Sequence, residues 1–272
     1  MKNKLNEIQN AEFQLAKKLK SVCEKEGLSF FMLGGAMLGA VRHKGFIPWD
    51  DDMDFGLIRE EYEKLYSILI TDKYDLQVMS YKEGNSHYYP LKIIDQKMQI
   101  FSKNSRDKDK NYVWIDIFPI DGMPNNLLPR KMHKFRLLKD RALLKLSQLN
   151  TIVAVSNPNR TVIEKLIIKI GEIVNIEELL NEKKRMEILD KHLKKYKVSR
   201  SKCSVNFMGA YKFKEMFNTN IYLNYEKYWF EDTKFLGVQD YDLYLKQLYG
   251  NYMKFPRKED RDKHKVSLAE KK

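Results

Sequence analysis

The sequence predicts an α/β or α+β fold. It reads as a mixed β-sheet core, a helical insertion, and a C-terminal segment that ends in a helix and packs back on the core. Three observations carry this. Residues 1–125 interleave short apolar runs of strand length with segments of helical periodicity. Residues 129–197 lose the strand signal and read as successive basic helices. From about residue 202 short aromatic-rich strands and turns return. The expected divisions are therefore 1–125, 126–200 and 201–272, integrated as a single domain.

Element by element, residues 4–26 carry Ile8, Leu15, Leu19 and Val22 at helical spacing, and Gly27 sits where a helix-terminating glycine belongs. "LSFFML" (28–33) is a short apolar strand, followed by "GGAMLGAVRHK", a turn into a short helix. "MDFGLI" (53–58) reads as a strand and "REEYEKLYSILI" (59–70) as a helix with acids in its first turn. Residues 75–80, 88–95, 98–103 and 112–120 are further strand candidates. Pro129 falls in the first turn of a basic helix, "NPNR" (157–160) breaks the helical run, and residues 160–174 and 181–197 are two more helices. "DYDLYLKQLYG" closes the ordered pattern with a helix.

The composition excludes several classes. A hydrophobic fraction of 43% supports a sizeable core. Two cysteines, Cys23 and Cys203, cannot build a disulfide framework or a structural zinc site, and fit a reducing compartment. No apolar leader core and no membrane-length apolar run occur, so the expected location is cytoplasmic. The net charge of +13 points to phosphorylated ligands, an anionic membrane surface or a solvated lysine-rich exterior. No nucleic-acid-binding signature accompanies it, so no nucleic-acid partner is expected.

Against that positive background stands "GFIPWDDDMDFG", with Asp50, Asp51, Asp52 and Asp54 inside five positions. Clustered carboxylates repel and raise one another's pKa. A calcium loop would use Asp50, Asp52, Asp54 and Glu61, but Phe55 stands where such a loop needs glycine. An acidic turn capping the helix at 59–70 needs fewer charges than are present. A catalytic metal site accounts for the concentration. Asp52 and Asp54 flank Met53 and would face the same way in a strand, and a hard cation such as Mg²⁺ or Mn²⁺ offsets their repulsion.

Two neighbouring stretches sharpen the metal reading. Gly34 and Gly35 lie between an apolar strand and a helix start, where backbone amides can approach a phosphate, and Arg42 and Lys44 follow as cations. This is neither a Walker loop nor a Gly-x-Gly-x-x-Gly fingerprint. In "YVWIDIFPID" the alternation puts Trp114, Asp116 and Phe118 on one face. An acid in so apolar a strand needs a partner, either a metal shared with Asp52 and Asp54 or a core arginine.

Strand, Gly-Gly, helix, Asp-x-Asp and a third strand aspartate together resemble the nucleotidyltransferase superfamily. More closely, "LGGAMLGAVRHKGFIPWDDDMDFGLIREEYEKL", "WIDIFPID" and "YLKQLYGNYMKFP" with "RDKH" resemble the LicD family, related to the fukutin-type phosphotransferases. The resemblance implies a nucleotidyltransferase-like core. It implies metal-dependent transfer of a phospho-alcohol, such as phosphocholine or glycerol phosphate, from a CDP-linked donor such as CDP-choline. The acceptor would be a sugar hydroxyl of a lipid-linked or polymeric glycan precursor of the teichoic acid, capsule or lipopolysaccharide type.

By the same resemblance Asp52 and Asp54 are metal ligands, and Asp116 is the third carboxylate, either a ligand or the base that takes the acceptor proton. Gly34, Gly35, Arg42, Lys44 and Lys92 hold phosphates, with His43 and His264 as further candidates. Asn251 stands where many members carry an aspartate. Rival readings are a nucleotide-sugar glycosyltransferase, which would release UDP or GDP rather than CMP, and a non-catalytic basic scaffold, which would bind no metal. "YEKYWF" (225–230) is read as core, with an aromatic cage for a quaternary ammonium as the alternative. The amphipathic stretch 161–174, between lysine clusters, suggests peripheral contact with the inner face of an anionic membrane.

Overall fold

The computed structural model describes residues 2–102, 111–148, 180–257, 261 and 266–268. Helix α1 (Lys2–Glu26) leads into strand β1 (Phe31–Met32), helix α2 (Gly34–Arg42), strand β2 (Asp54–Ile58) and helix α3 (Arg59–Leu69). Strands β3 (Gln77–Met79), β4 (Leu91–Ser102) and β5 (Asn111–Gly122) follow. Two long helices come next, α4 (Leu127–Leu146) and α5 (Glu182–Leu193). The chain then forms β6 (Cys203–Val205), β7 (Met216–Asn218), β8 (Tyr225–Phe230), β9 (Thr233–Val238), helix α6 (Tyr241–Tyr249) and β10 (Val266–Leu268).

The main sheet runs β10-β4-β5-β2-β1-β9-β8 and is mixed. β2 pairs with β5 in parallel and β1 with β9 in parallel, while β1–β2, β4–β5 and β8–β9 are antiparallel. This is the α+β architecture expected from the sequence. The C-terminal hairpin β8–β9 lies beside β1, so residues 225–238 extend the same sheet that the N-terminal half begins.

Local chemistry explains the boundaries. Gly27 takes φ +66° after α1, a left-handed conformation that glycine adopts without penalty. Glu60 and Glu61 occupy the first turn of α3, and Asn181 caps α5 by accepting the Lys184 N–H at 2.8 Å. In β5 the alternation is literal: Val113, Ile115 and Ile117 are fully buried, and Trp114 and Asp116 lie on the other face, half-buried.

Three boundaries differ from the sequence reading. The strand expected over 28–33 is confined to Phe31–Met32, because Leu33 already serves as the N-cap of α2. The candidates at 88–95 and 98–103 are one strand, β4, whose register against β5 shifts between Asp95 and Gln99. The basic helix starts at Leu127, two residues before Pro129. The stretches 157–160 and 161–174 lie outside the described residues. No helix among the described residues is long and apolar enough to cross a membrane.

The principal core gathers Phe31, Phe55, Phe235, Tyr222 and Tyr244, all fully buried, between the sheet and its helices. A second cluster joins α4 to α5 through Leu137, Leu144, Met186, Leu189 and Leu193. Arg59 ties the two halves together. Its guanidinium donates through Nε and one terminal nitrogen to Asp121 on β5, both at 2.7 Å, and through the other to Asp190 on α5 at 3.2 Å.

Candidate active site

The site begins with strand register. Asp54 on β2 lies directly opposite Asp116 on β5, and Asp116 lies directly opposite Lys92 on β4. Directly opposed residues on neighbouring strands project from the same face, so two carboxylates and an ammonium form one row across three strands. Backbone bonds fix the row: the Asp116 N–H donates to the Met53 carbonyl at 3.1 Å, and the Leu33 N–H donates to the Asp54 carbonyl at 2.9 Å.

Asp116 is held by its neighbours along the strand. Trp114 Nε1 donates to Asp116 Oδ2 at 2.8 Å. Asp116 Oδ1 is buried with no hydrogen-bond donor, and Lys92 Nζ stands 3.6 Å from it. Lys92 is buried, and its ammonium lies 3.9 Å from the Trp114 ring centroid and 4.5 Å from that of Tyr88. Burial lowers the Lys92 pKa, opposed by the charges of Asp116, Asp54 and Asp52. The core-arginine alternative falls to a different acid: Arg59 pairs with Asp121, not Asp116.

The aspartate loop is pinned from α1. Gln9 donates to the backbone carbonyls of Ile47 at 3.3 Å and Asp50 at 2.8 Å. One turn on, Glu12 is buried, and its Oε2 has no hydrogen-bond donor. Burial raises the Glu12 pKa well above the usual carboxylate range, and the charges of Asp52, Asp51, Asp50 and Asp116 raise it further. The Asp54 pKa is likewise raised, first by burial and then by Asp52 and Asp116. Glu61, the twelfth position of the calcium-loop reading, instead accepts the Ser29 N–H at 2.6 Å.

The two glycines make room for these acids. Gly34 has φ +47°, and a side chain there would meet Asp54 Oδ2 and the Tyr249 hydroxyl. A Cβ on Gly35 would stand 2.7 Å from Asp50 Oδ2. The Gly34 N–H donates to the Tyr244 hydroxyl at 3.0 Å, so in this structure that amide is engaged within the protein.

Asp50, Asp52 and Asp54 open onto a cavity of about 850 Å³ whose far wall comes from the C-terminal half. Asn206, Tyr211, Glu215, Tyr249 and Asn251 lie on that wall. Glu215 is buried and accepts from Asn206 Nδ2 at 2.9 Å. Burial pushes its carboxyl up to about 7, against the lowering effect of that hydrogen bond and of Arg141.

The mouth of the cavity is cationic and aromatic. Arg42 donates to the Tyr252 carbonyl at 2.8 Å and stacks 4.9 Å from the Phe255 ring centroid. Arg261 stacks 4.3 Å from that of Trp49, and Lys254 and Arg257 complete the rim.

The structure thus brings Gly34, Gly35, Arg42, Asp52 and Asp54 to one cavity, with Asp116 and Lys92 in the adjoining row. Lys92 is turned to Asp116 and is absent from the cavity wall described above, so it neighbours the carboxylates rather than the rim. His43 sits behind Arg42, whose Nε donates to His43 Nε2 at 2.9 Å. Burial and then the Arg42 charge lower the His43 pKa, which favours the neutral ring. Lys44 is exposed on the loop behind, with φ +60° and its carbonyl accepting the Glu231 N–H. His264 lies outside the described residues. The stripe 225–230 is on β8, away from the cavity: Phe230 is core, while Trp229 is exposed, with Lys234 Nζ 4.8 Å from its ring centroid.

Sequence reasoning missed Glu12, Glu215 and Asn206. Glu12 occupies one position of an ordinary amphipathic helix, and only the fold turns it toward the aspartates. Glu215 and Asn206 lie more than 150 positions downstream of Asp54 and carry no local signal.

The donors available to a cofactor are all carboxylate oxygens, two of them buried without a hydrogen-bond donor. That set suits a hard divalent cation and not a soft one. Among the described residues no three ligating side chains already converge on one point. Mg²⁺ is commonly held by one or two carboxylates together with substrate phosphates and water, so the row fits such an ion.

Residues 27–148 match the family model described as LicD/FKTN/FKRP, nucleotidyltransferase domain. That span contains β1 through α4, and with them the whole carboxylate row. The lipopolysaccharide cholinephosphotransferase LicD of Haemophilus influenzae is 28% identical over 263 residues, covering 92% of this chain and 91% of that protein. The human ribitol 5-phosphate transferase FKRP is 40% identical over 48 residues, covering 18% of this chain and 10% of FKRP. An uncharacterized protein of Rickettsia typhi is 31% identical over 125 residues, covering 45% of this chain and 38% of that protein. Residues 27–148 are a LicD-family nucleotidyltransferase domain, and that domain contains the row formed by Asp54, Asp116 and Lys92.

Proposed function

We propose that this protein transfers a phospho-alcohol, phosphocholine or a related polyol phosphate such as glycerol phosphate, from a CDP-linked donor to a sugar hydroxyl of a cell-surface glycan precursor. The observation that carries the reading is the Asp54–Asp116–Lys92 row beside a cavity whose mouth is cationic. Negative charge where phosphate must bind is unfavourable unless a cation lies between, and positive charge at the rim suits a polyphosphate donor. Near-complete overlap with LicD supports phosphocholine-type chemistry over a local likeness alone.

In the proposed reaction the sugar hydroxyl oxygen attacks the phosphorus that bears the alcohol. A new phosphodiester forms, the pyrophosphate P–O bond breaks, and CMP leaves with the electron pair. Asp52, Asp54 and Asp116 would hold Mg²⁺ or Mn²⁺, whose charge would neutralise the pyrophosphate. Arg42, with Lys254 and Arg257 on the same rim, orients the donor phosphates. Asp116, the third carboxylate, is alternatively the acceptor of the hydroxyl proton, and Trp114 and Lys92 fix its carboxylate. Gly34 and Gly35 leave the wall beside Asp50 and Asp54 free of side chains.

The test is a donor screen with CDP-choline, CDP-glycerol and CDP-ribitol, and with UDP- and GDP-sugars, in the presence of a lipid-linked glycan acceptor and Mg²⁺. Release of CMP from one CDP-alcohol, dependent on acceptor, supports the reading. Release of UDP or GDP alone would make the protein a glycosyltransferase.

A further inference from the structure

Helix α4 carries large apolar side chains on both its buried and its outward sides. The inward side places His133, Leu137, Asp140 and Leu144 against α5 and its neighbours. On the outward side Leu127, Leu128, Met132, Phe135 and Leu138 are all exposed, Leu128 at 69% and Phe135 at 72%. Positions 128, 132, 135 and 139 follow helical spacing down one stripe, and 131, 135 and 138 follow the stripe beside it. Met132 and Phe135 line a shallow depression together with Lys131, Arg136 and Lys139. A contiguous run of exposed large apolar side chains points to an interaction site.

The charge pattern selects the occupant. Asp140 is the single acid of α4, and it is buried and bonded to His192 at 2.6 Å. The outward side therefore offers five large apolar side chains with Lys131, Lys139 and Lys145, and the one acid near it is the buried Asp140, whose Oδ1 lies 3.8 Å from Lys139 Nζ. The cationic surface continues past the start of α4, where exposed Lys195, Lys197 and Arg200 line a second depression with Pro129. A second copy of this chain, itself at +13, would set like charge against like. A nucleic acid would have no use for the apolar stripe. An anionic bilayer satisfies both features: apolar side chains enter the acyl boundary and lysines meet headgroup phosphates.

We propose that α4 is a docking helix that lies in the headgroup plane of an anionic membrane, with Leu128, Met132 and Phe135 as its apolar anchors and Lys131 and Lys139 as its headgroup contacts. The surface differs from the 161–174 stretch suggested by the sequence, and the proposal holds whichever group the enzyme transfers.

The test is flotation of the full-length protein with phosphatidylcholine vesicles, with and without phosphatidylglycerol. Binding is expected only to the anionic vesicles, with release at high salt. Met132→Ser with Phe135→Ser should weaken partitioning at least about tenfold, with unchanged melting temperature and unchanged turnover on a soluble acceptor. Lys131→Glu with Lys139→Glu should weaken it independently. Three outcomes would overturn the proposal: equal partitioning of the double-serine variant, absence of binding to either vesicle, or binding indifferent to phosphatidylglycerol. Two more would reassign the face. A melting temperature lowered by the serine substitutions would mean that the chain itself covers the stripe. A concentration-dependent dimer abolished by them would mean that a second copy does.

Discussion

Asp54 and Asp116 are register partners on adjacent parallel strands, 62 positions apart in sequence and side by side in the sheet. Both carboxylates therefore leave the same sheet face, and the Asp54 pKa is raised by burial and by its neighbours' charge. The pairing costs stability, and the proposed cation would offset that cost.

Asp54→Asn should separate those two effects. Between the usual carboxylate pKa and the raised folded value, the native state binds more protons than the unfolded state, so ionised Asp54 lowers stability as pH rises. The amide removes that penalty. At pH 7 without metal, the variant should melt at the wild-type temperature or higher, about 2–4 °C for each kcal/mol relieved. Its Mg²⁺ binding by calorimetry should be lost. A lower melting temperature with intact Mg²⁺ binding would contradict the assignment.

Arg42→Ala should weaken binding of the CDP-linked donor by roughly ten- to a hundredfold, the loss of one charge-assisted phosphate contact. Arg42→Lys should recover part of it, since an ammonium keeps the charge but not the guanidinium fork that reaches the Tyr252 carbonyl and covers Phe255. Calorimetric titration of donor into each variant reads this directly. Equal donor affinity in all three proteins would leave Arg42 as a brace for residues 252–255.

Much of this was legible before the fold was known. The aspartate cluster, the Gly-Gly helix start and the alternation through Asp116 are local patterns, and each was found in place. Asp121 has the opposite strand parity to Asp116, and nothing local in the sequence names its partner. Only the fold shows that the core arginine, Arg59, reaches Asp121. Lys92 gave no sequence sign of its partner, because its position opposite Asp116 is set by the register of β4. Glu12 and Glu215 are recruited from helices by tertiary packing, which leaves no periodic trace. The sequence shows the lysines of α4 but not its outward apolar stripe, since periodicity does not say which apolar stripe is buried.

Glu215→Gln should change the pH dependence of stability. The folded carboxyl sits at about 7 against an ordinary 4.5, so the wild type loses stability as pH rises through that interval. The loss amounts to about 3 kcal/mol when complete. Glutamine still accepts from Asn206 and does not titrate. Chemical denaturation at pH 5 and pH 8 should show a smaller difference in the variant, chiefly through greater stability at pH 8. Parallel pH profiles would place the Glu215 carboxyl in a more polar setting than its burial implies.

Arg59→Met should be among the most damaging single changes away from the cavity. It leaves Asp121 and Asp190 without the guanidinium that bridges them, although Lys194 still reaches Asp190 at 2.5 Å. Breaking a buried pair by removing one partner costs about 3–5 kcal/mol. Urea unfolding should register that loss, and a variant within about 0.5 kcal/mol of wild type would mean the network is neutral.

The most direct measurement is ³¹P NMR of the complete reaction with the CDP-alcohol that proves active. Transfer of a phospho-alcohol at the Asp54–Asp116 row requires a new sugar phosphodiester resonance to grow in step with CMP, mole for mole, in the wild type. Neither resonance should grow with Asp54→Asn or after removal of divalent metal. Appearance of a free alcohol phosphate with CMP attached to the glycan would instead show nucleotidyl transfer, and undiminished phosphodiester formation by Asp54→Asn would show that the chemistry lies elsewhere.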